Sequence, residues 1–364
     1  MKERCVRILD LGVTRFCAVI LVVMLSLANA QAGTITTIAS TVPGNGDLNP
    51  YGVALVPYTI GSLVGGNLLV SNFNNSQNLQ GTGTTIMQIS PSGTATLFAQ
   101  IDPNSLPGPC PGGVGLTTAL VVLQSGWVIV GSLPTTDGTA ATAQAGCLLV
   151  LDNNGQVVDT FYGSMINGPW DMVAVDRGTS ASLFVANVLN GTVAAGGHVV
   201  NQGTVVRVDL TIPYSSTPFL QQMTVIGSGF SERSDSAALV VGPTGLALKG
   251  HNLYIADSVN NSIAVITNAV TRNTSAGTGL TLSRAGALND PLGLAISAKG
   301  NILSVNGGNG YLVETKTNGQ QISKVLLDNQ GNPPGIGALF GIAEVKGQGT
   351  YFVDDNENAL NLYH

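Results

Sequence analysis

Short apolar runs, each too brief for a helix, alternate along this chain with clusters of Gly, Asn and Asp. The stretch VGPTGLALKGHNLYIADSVNNSIAVI, from Val241 to Ile266, holds the pattern in full: a Pro-x-Gly entry, two apolar runs, an Asp and Asn cluster, then a third run. The same order recurs as NPYGVALV…GGNLLVSNFNN, NGPWDMVAV…ASLFVANVLNG, NDPLGLAIS…GNILSVNGGNG and ALFGIAEV…GTYFVDDNENA, with TTALVVLQSGWVIVGS as a weaker copy. The equivalent entry residues are Gly52, Thr118, Asp171, Gly245, Gly293 and Gly341. They recur at about fifty residues, a period that belongs to propellers and solenoids.

Each unit supplies four strand-like runs, clearest in the first, at Gly52–Pro57, Asn67–Asn72, Thr85–Ser90 and Ala95–Gln100. Four strands per unit make a propeller blade. The runs are continuously apolar instead of alternating, as strands covered on both faces must be. The last unit stops one strand short at His364, while TITTIAS, Thr34 to Ser40, precedes the first unit with nothing to pair with. Pairing that strand beside the last blade closes the ring and removes an exposed edge. The expectation is therefore an all-β, six-bladed β-propeller of four-stranded blades. Its single domain spans 33–364, with blades near 50–102, 113–163, 167–226, 240–284, 288–328 and 335–364 plus 33–41.

Pro-x-Gly-Leu-Ala, Leu-Tyr-Ile-Ala-Asp and Asn-Asn-x-Ile, as they stand in Val241–Ile266, resemble the NHL repeat. The resemblance covers nearly all of the chain after the first thirty residues. It implies a fold more than a reaction, because such propellers serve as lyases, lactonases and binding scaffolds alike.

The start of the chain is different in kind. MKERCVRILDLGVTR is net basic and leads into FCAVILVVMLSLANA, which ends in the small-x-small pairs Ala28-Asn29-Ala30 and Ala30-Gln31-Ala32. This reads as a signal peptide over 1–32, cleaved after about residue 30 or 32, which places the protein in the periplasm or outside the cell. Beyond Arg15 no Lys or Arg occurs until Arg177, while seven Asp residues do, from Asp47 to Asp176. That acidic first half, in a chain of net charge −6, disfavours nucleic acid and anionic membranes as partners. No membrane insertion of the mature chain is expected, and a monomer is. Cys5 and Cys17 leave with the leader, so Cys110 and Cys147 remain, on one face of one blade, to form a disulfide.

Candidate chemistry collects where second strands end. Asn72, Asn187, Asp257, Asn306 and Asp354 fall there, with neighbours such as Asn74, Asn190, Asn260 and Asn309. Such residues ordinarily stabilise tight turns; here they also ring one face with oxygen ligands of the kind Ca²⁺ or another divalent metal takes. Asp171 takes the place of Gly beside Trp170, both expected at the loop-rich face as candidate ligand-binding residues, and Glu344 stands where other units carry Leu or Ile. Asp171 and Asp257 are the candidate metal ligands. The resemblance to zinc-dependent NHL lyases does not extend to their histidines, since His198, His251 and His364 are not placed to meet. Lactonase-like propellers hold a divalent metal through a Glu early in the first blade, and YGVALV contains none. The expectation is thus a non-catalytic scaffold binding an unknown protein or small molecule through its loop-rich face. The alternative is a metal-dependent lyase or lactonase-like hydrolase at the central channel.

Overall fold

The computed structural model describes residues 33–364; the predicted signal peptide lies outside the described residues. Strand β1 (Ile35–Ser40) comes first in the chain. Blade 1 is β2 (Leu48–Leu55), β3 (Leu68–Asn74), β4 (Thr85–Ile89) and β5 (Ala95–Gln100), and blade 2 is β6 (Leu116–Val122), β7 (Val128–Ser132), β8 (Cys147–Leu151) and β9 (Val157–Phe161). Blade 3 comprises β10 (Pro169–Asp176), β11 (Ser180–Asn187), β12 (Val200–Thr211), β13 (Phe219–Asp235) and a short fifth strand, β14 (Leu239–Val241). Blade 4 is β15 (Pro243–Lys249), β16 (Asn252–Asp257), β17 (Ser262–Ile266) and β18 (Leu280–Arg284). Blade 5 is β19 (Pro291–Ile296), β20 (Ile302–Asn306), β21 (Tyr311–Thr315) and β22 (Gln321–Leu326). Blade 6 is β23 (Leu339–Val345), β24 (Gly349–Asp354) and β25 (Ala359–Tyr363), completed by β1.

The architecture is the expected six-bladed all-β propeller. Its closure is as predicted: β1 pairs antiparallel with β25, from Ile35 opposite Tyr363 to Ser40 opposite Ala359. Thr34 and His364 add reciprocal backbone hydrogen bonds of 2.8 and 3.1 Å. The continuous apolar runs are explained by burial. Every residue of β3, β4, β7, β8, β17 and β20 is buried, whereas the outermost strands β5, β18 and β22 expose much of their length. Six apolar clusters fill the gaps between blades. Blade 3 departs from the pattern: β12 and β13 continue past the blade, so that most of 227–242 is strand, and β14 pairs with the end of β13.

The ring of innermost strands is tight because four of its entry residues are glycines. A Cβ at Gly245 would run into the Leu292 carbonyl, at Gly293 into that of Phe340, and at Gly341 into that of Tyr51, each in the next blade. A Cβ at Gly52 would meet the Ser71 hydroxyl, with the Thr118 carbonyl at 3.0 Å. The innermost strands therefore pack backbone against backbone. Of the six entry residues, Thr118 and Asp171 carry a polar side chain.

Candidate functional site

The two ends of the central channel differ. At the end where second strands meet third strands, Tyr51 stacks on Phe73 and Phe340, with ring centroids 4.4 and 4.0 Å apart, and Trp170 lies tilted at 6.2 Å. The segment after β13 covers this plug. Leu239, held at φ 61°, is buried among the same side chains, and the Tyr51 hydroxyl donates to Ala237 O at 3.4 Å. A non-glycine residue rarely occupies that left-handed region, so burial of the Leu239 side chain offsets a backbone cost of about 1 kcal/mol. Trp170, expected at a ligand-binding mouth, is a plug residue, 2% exposed.

At the opposite end the channel opens into a cavity of about 520 Å³ lined by all six innermost strands from their third residue or later onward. Thr118 and Asp171 line it, beside Gly293 and Gly341, with Gln124 and Asp176 among the remaining polar side chains. Asp171 therefore lines a cavity on the other side of the plug from the loop-rich face where sequence placed it. Its Oδ1 accepts from Met172 N at 2.8 Å and its Oδ2 from Leu246 N in blade 4 at 2.7 Å. Burial pushes its carboxyl from 3.8 up to about 7, the two backbone donors only partly opposing the loss of water. Thr118 Oγ1 is buried and has no hydrogen-bond partner among the described residues. At the mouth, Asp176 is held by Gln124 N at 2.6 Å and Gly178 N at 2.7 Å.

The Asn and Asp residues singled out in the sequence occupy one register position. Asn187, Asp257, Asn306 and Asp354 lie opposite the first residue of their own innermost strand, namely Pro169, Pro243, Pro291 and Leu339, as Ser132 lies opposite Leu116; Asn72 lies opposite Pro50, the third residue of β2. All are buried, and their bonds tie nearby turns and blade entries. Asn72 donates to Thr41 O at 3.0 Å, Asn306 to Ala287 O at 2.8 Å, and Asp257 accepts from Asn260 Nδ2 at 3.0 Å. Burial, then Asp328 and Glu357, raise the Asp354 carboxyl to about 7; burial also raises that of Asp257. Glu344 is half-buried and accepts from Ala298 N at 3.1 Å and Thr350 Oγ1 at 2.7 Å, away from Asp171. Cys110 and Cys147 are joined by a disulfide.

A centre of the zinc type, held by three or more His, Cys, Asp or Glu side chains, does not form: among the described residues no three of these come together. Asp171 and Asp257 turn to different partners, Leu246 and Asn260.

Comparison with protein-family models and with curated proteins finds no match. Among solved structures, a gluconolactonase from Xanthomonas campestris superposes with TM-score 0.56 at 12% identity, covering 91% of this chain and 89% of that one. The calcium-binding protein regucalcin from Agrobacterium tumefaciens gives 0.56 at 13%, over 90% and 95% of the two chains. A streptogramin B lyase gives 0.53 at 13%, over 91% and 95%. This chain shares their six-bladed propeller fold. The expectation of a non-catalytic binding scaffold is corrected by these neighbours, two of which are named as enzymes, a lactonase and a lyase. Sequence reasoning missed Thr118 and the plug. Thr118 could have been found from its place in a column of glycines, but its lack of a partner could not.

Proposed function

We propose that the chain is an exported enzyme of lactonase-like type that opens a small, uncharged cyclic ester in the open end of its central channel, with Asp171 as general base. One observation carries the reading: a lone buried carboxylate, raised to about 7, lines an axial cavity large enough for such a substrate. A base of that strength is half ionised near neutral pH, where general base catalysis is most effective. Each Asp171 oxygen accepts one backbone N–H, and a carboxylate has about four acceptor sites, so room remains for a water.

Asp171 takes a proton from that water as its oxygen bonds to the ester carbonyl carbon. The carbonyl oxygen gains the negative charge, which the Thr118 hydroxyl, without a partner among the described residues, can stabilise once its side chain rotates into the cavity this residue lines. When the ring C–O bond breaks, the proton held by Asp171 passes to the departing alkoxide, restoring the carboxylate. No metal enters these steps. The apolar later parts of the innermost strands limit water to what the cavity admits. The Pro-x-Gly entries and Asn-Asn turn support an NHL-type ancestry for the repeats, and the disulfide supports an oxidising compartment in keeping with export.

The test is a panel of γ- and δ-lactones followed by pH titration. Hydrolysis should rise with pH through about 7 and level off, as a base that must be ionised requires. Asp171→Asn should lose at least about a hundredfold in kcat, and Thr118→Val about tenfold to a hundredfold. Turnover retained in a folded Asp171→Asn protein would sink the proposal.

A further inference from the structure

The face that carries the channel mouth has a second, larger recess, of about 730 Å³. It lies between blades 2 and 3, walled by the β6–β7 turn with Trp127, the β10–β11 turn with Arg177, and the β12–β13 turn with Tyr214. Gln124 lines both this groove and the channel cavity, so the two recesses adjoin. Arg177 follows directly on Asp176 at the mouth.

Three features of the groove point to one chemistry. Tyr214 is 100% exposed, a whole aromatic side chain left in water at the rim. Trp127 is half-buried and lines the recess. Flat faces of this kind bind rings well at low entropic cost. Arg177 is the first basic residue after Arg15, and the sole Lys or Arg lining the groove. It makes no ion pair with any described residue and spends one N–H on Ser182 Oγ at 3.2 Å. Most of its guanidinium donors therefore have no partner among the described residues. A planar fork beside aromatic faces matches a carboxylate or sulfonate attached to a ring.

We infer that this groove binds the anionic, ring-bearing part of the substrate, an aryl acid or close analogue, while the uncharged ester reaches into the channel. The inference rests on the proposed channel chemistry for the second half of that statement only. The groove's own affinity is independent of Asp171.

Benzenesulfonate, with uncharged benzenesulfonamide as control, tests it on the full mature protein. Trp170 is sealed in the plug, so Trp127 is the tryptophan a groove ligand can quench. Benzenesulfonate should quench tryptophan fluorescence saturably, and Trp127→Phe should abolish the quench while calorimetry still detects binding. Arg177→Gln should weaken benzenesulfonate binding about tenfold, to the level of benzenesulfonamide, the loss expected for a charge-assisted hydrogen-bonded pair. Tyr214→Ala should weaken both ligands about equally. Asp171→Asn should leave benzenesulfonate binding unchanged. No saturable binding by calorimetry, or equal affinity in parent and Arg177→Gln, overturns the inference. Lactone turnover abolished by Asp171→Asn with an inert groove overturns this inference alone. A binding groove with turnover intact in Asp171→Asn overturns the channel chemistry and leaves the groove standing.

Discussion

Replacing Glu232 by Gln should make this protein more stable, and more so the higher the pH. Glu232 lies in β13 opposite Val200, fully buried, with neither carboxylate oxygen bonded to a described residue. Its neighbour Arg233 is committed to Asp235 at 2.8 Å. Burial pushes the Glu232 carboxyl from 4.5 up to about 7, with Thr192 and Asn190 nearby to ease the charge only in part. The folded protein thus binds a proton there that the unfolded chain gives up. Stability falls as pH rises from 4.5 through about 7, and the whole penalty is present above that. A displacement of that size is worth about 3 kcal/mol. Glutamine keeps the shape without the charge. Urea unfolding of parent and variant across pH should give equal stabilities below the ordinary Glu range and a gap of about 3 kcal/mol in mild alkali, about 4 °C in Tm for a chain of this length. Asp171 and Asp354 titrate in the same window, so the difference between the two proteins is the quantity to read. A gap independent of pH, or a parent more stable than the variant in alkali, would refute the argument and mean that Glu232 is neutralised by a cation in solution.

Other consequences can be checked alongside. Replacing Cys110 and Cys147 by Ser opens a loop closed over a sequence separation of 37 and should cost about 4 kcal/mol, read as a lower urea midpoint that matches the reduced parent. Gly341→Ala forces a Cβ into the Tyr51 carbonyl, so either the ring opens or the plug shifts; a loss of about 3 kcal/mol or more is expected, with a change in near-ultraviolet circular dichroism from Tyr51 and Trp170. Deleting 33–40 leaves the edge of β25 unpaired and should produce concentration-dependent association, seen by light scattering, beyond any fall in Tm.

The sequence by itself determined the fold, because its causes are local and repeated. Each short apolar run is a strand covered on both faces, each Pro-x-Gly entry begins an innermost strand, and the unpaired TITTIAS strand at one end met a blade one strand short at the other. In the column Gly52, Thr118, Asp171, Gly245, Gly293 and Gly341, two positions carry a polar side chain in place of Gly. The tertiary structure alone decided which end of the channel is open. That depends on Tyr51, Phe73, Trp170 and Phe340 meeting across three blades, and no local pattern records which aromatic rings pack together. The same holds for Asp171. Its neighbours in sequence do not announce that its carboxylate reaches Leu246 N in the next blade, and it is this burial between blades that lifts it to the strength of a base near neutral pH.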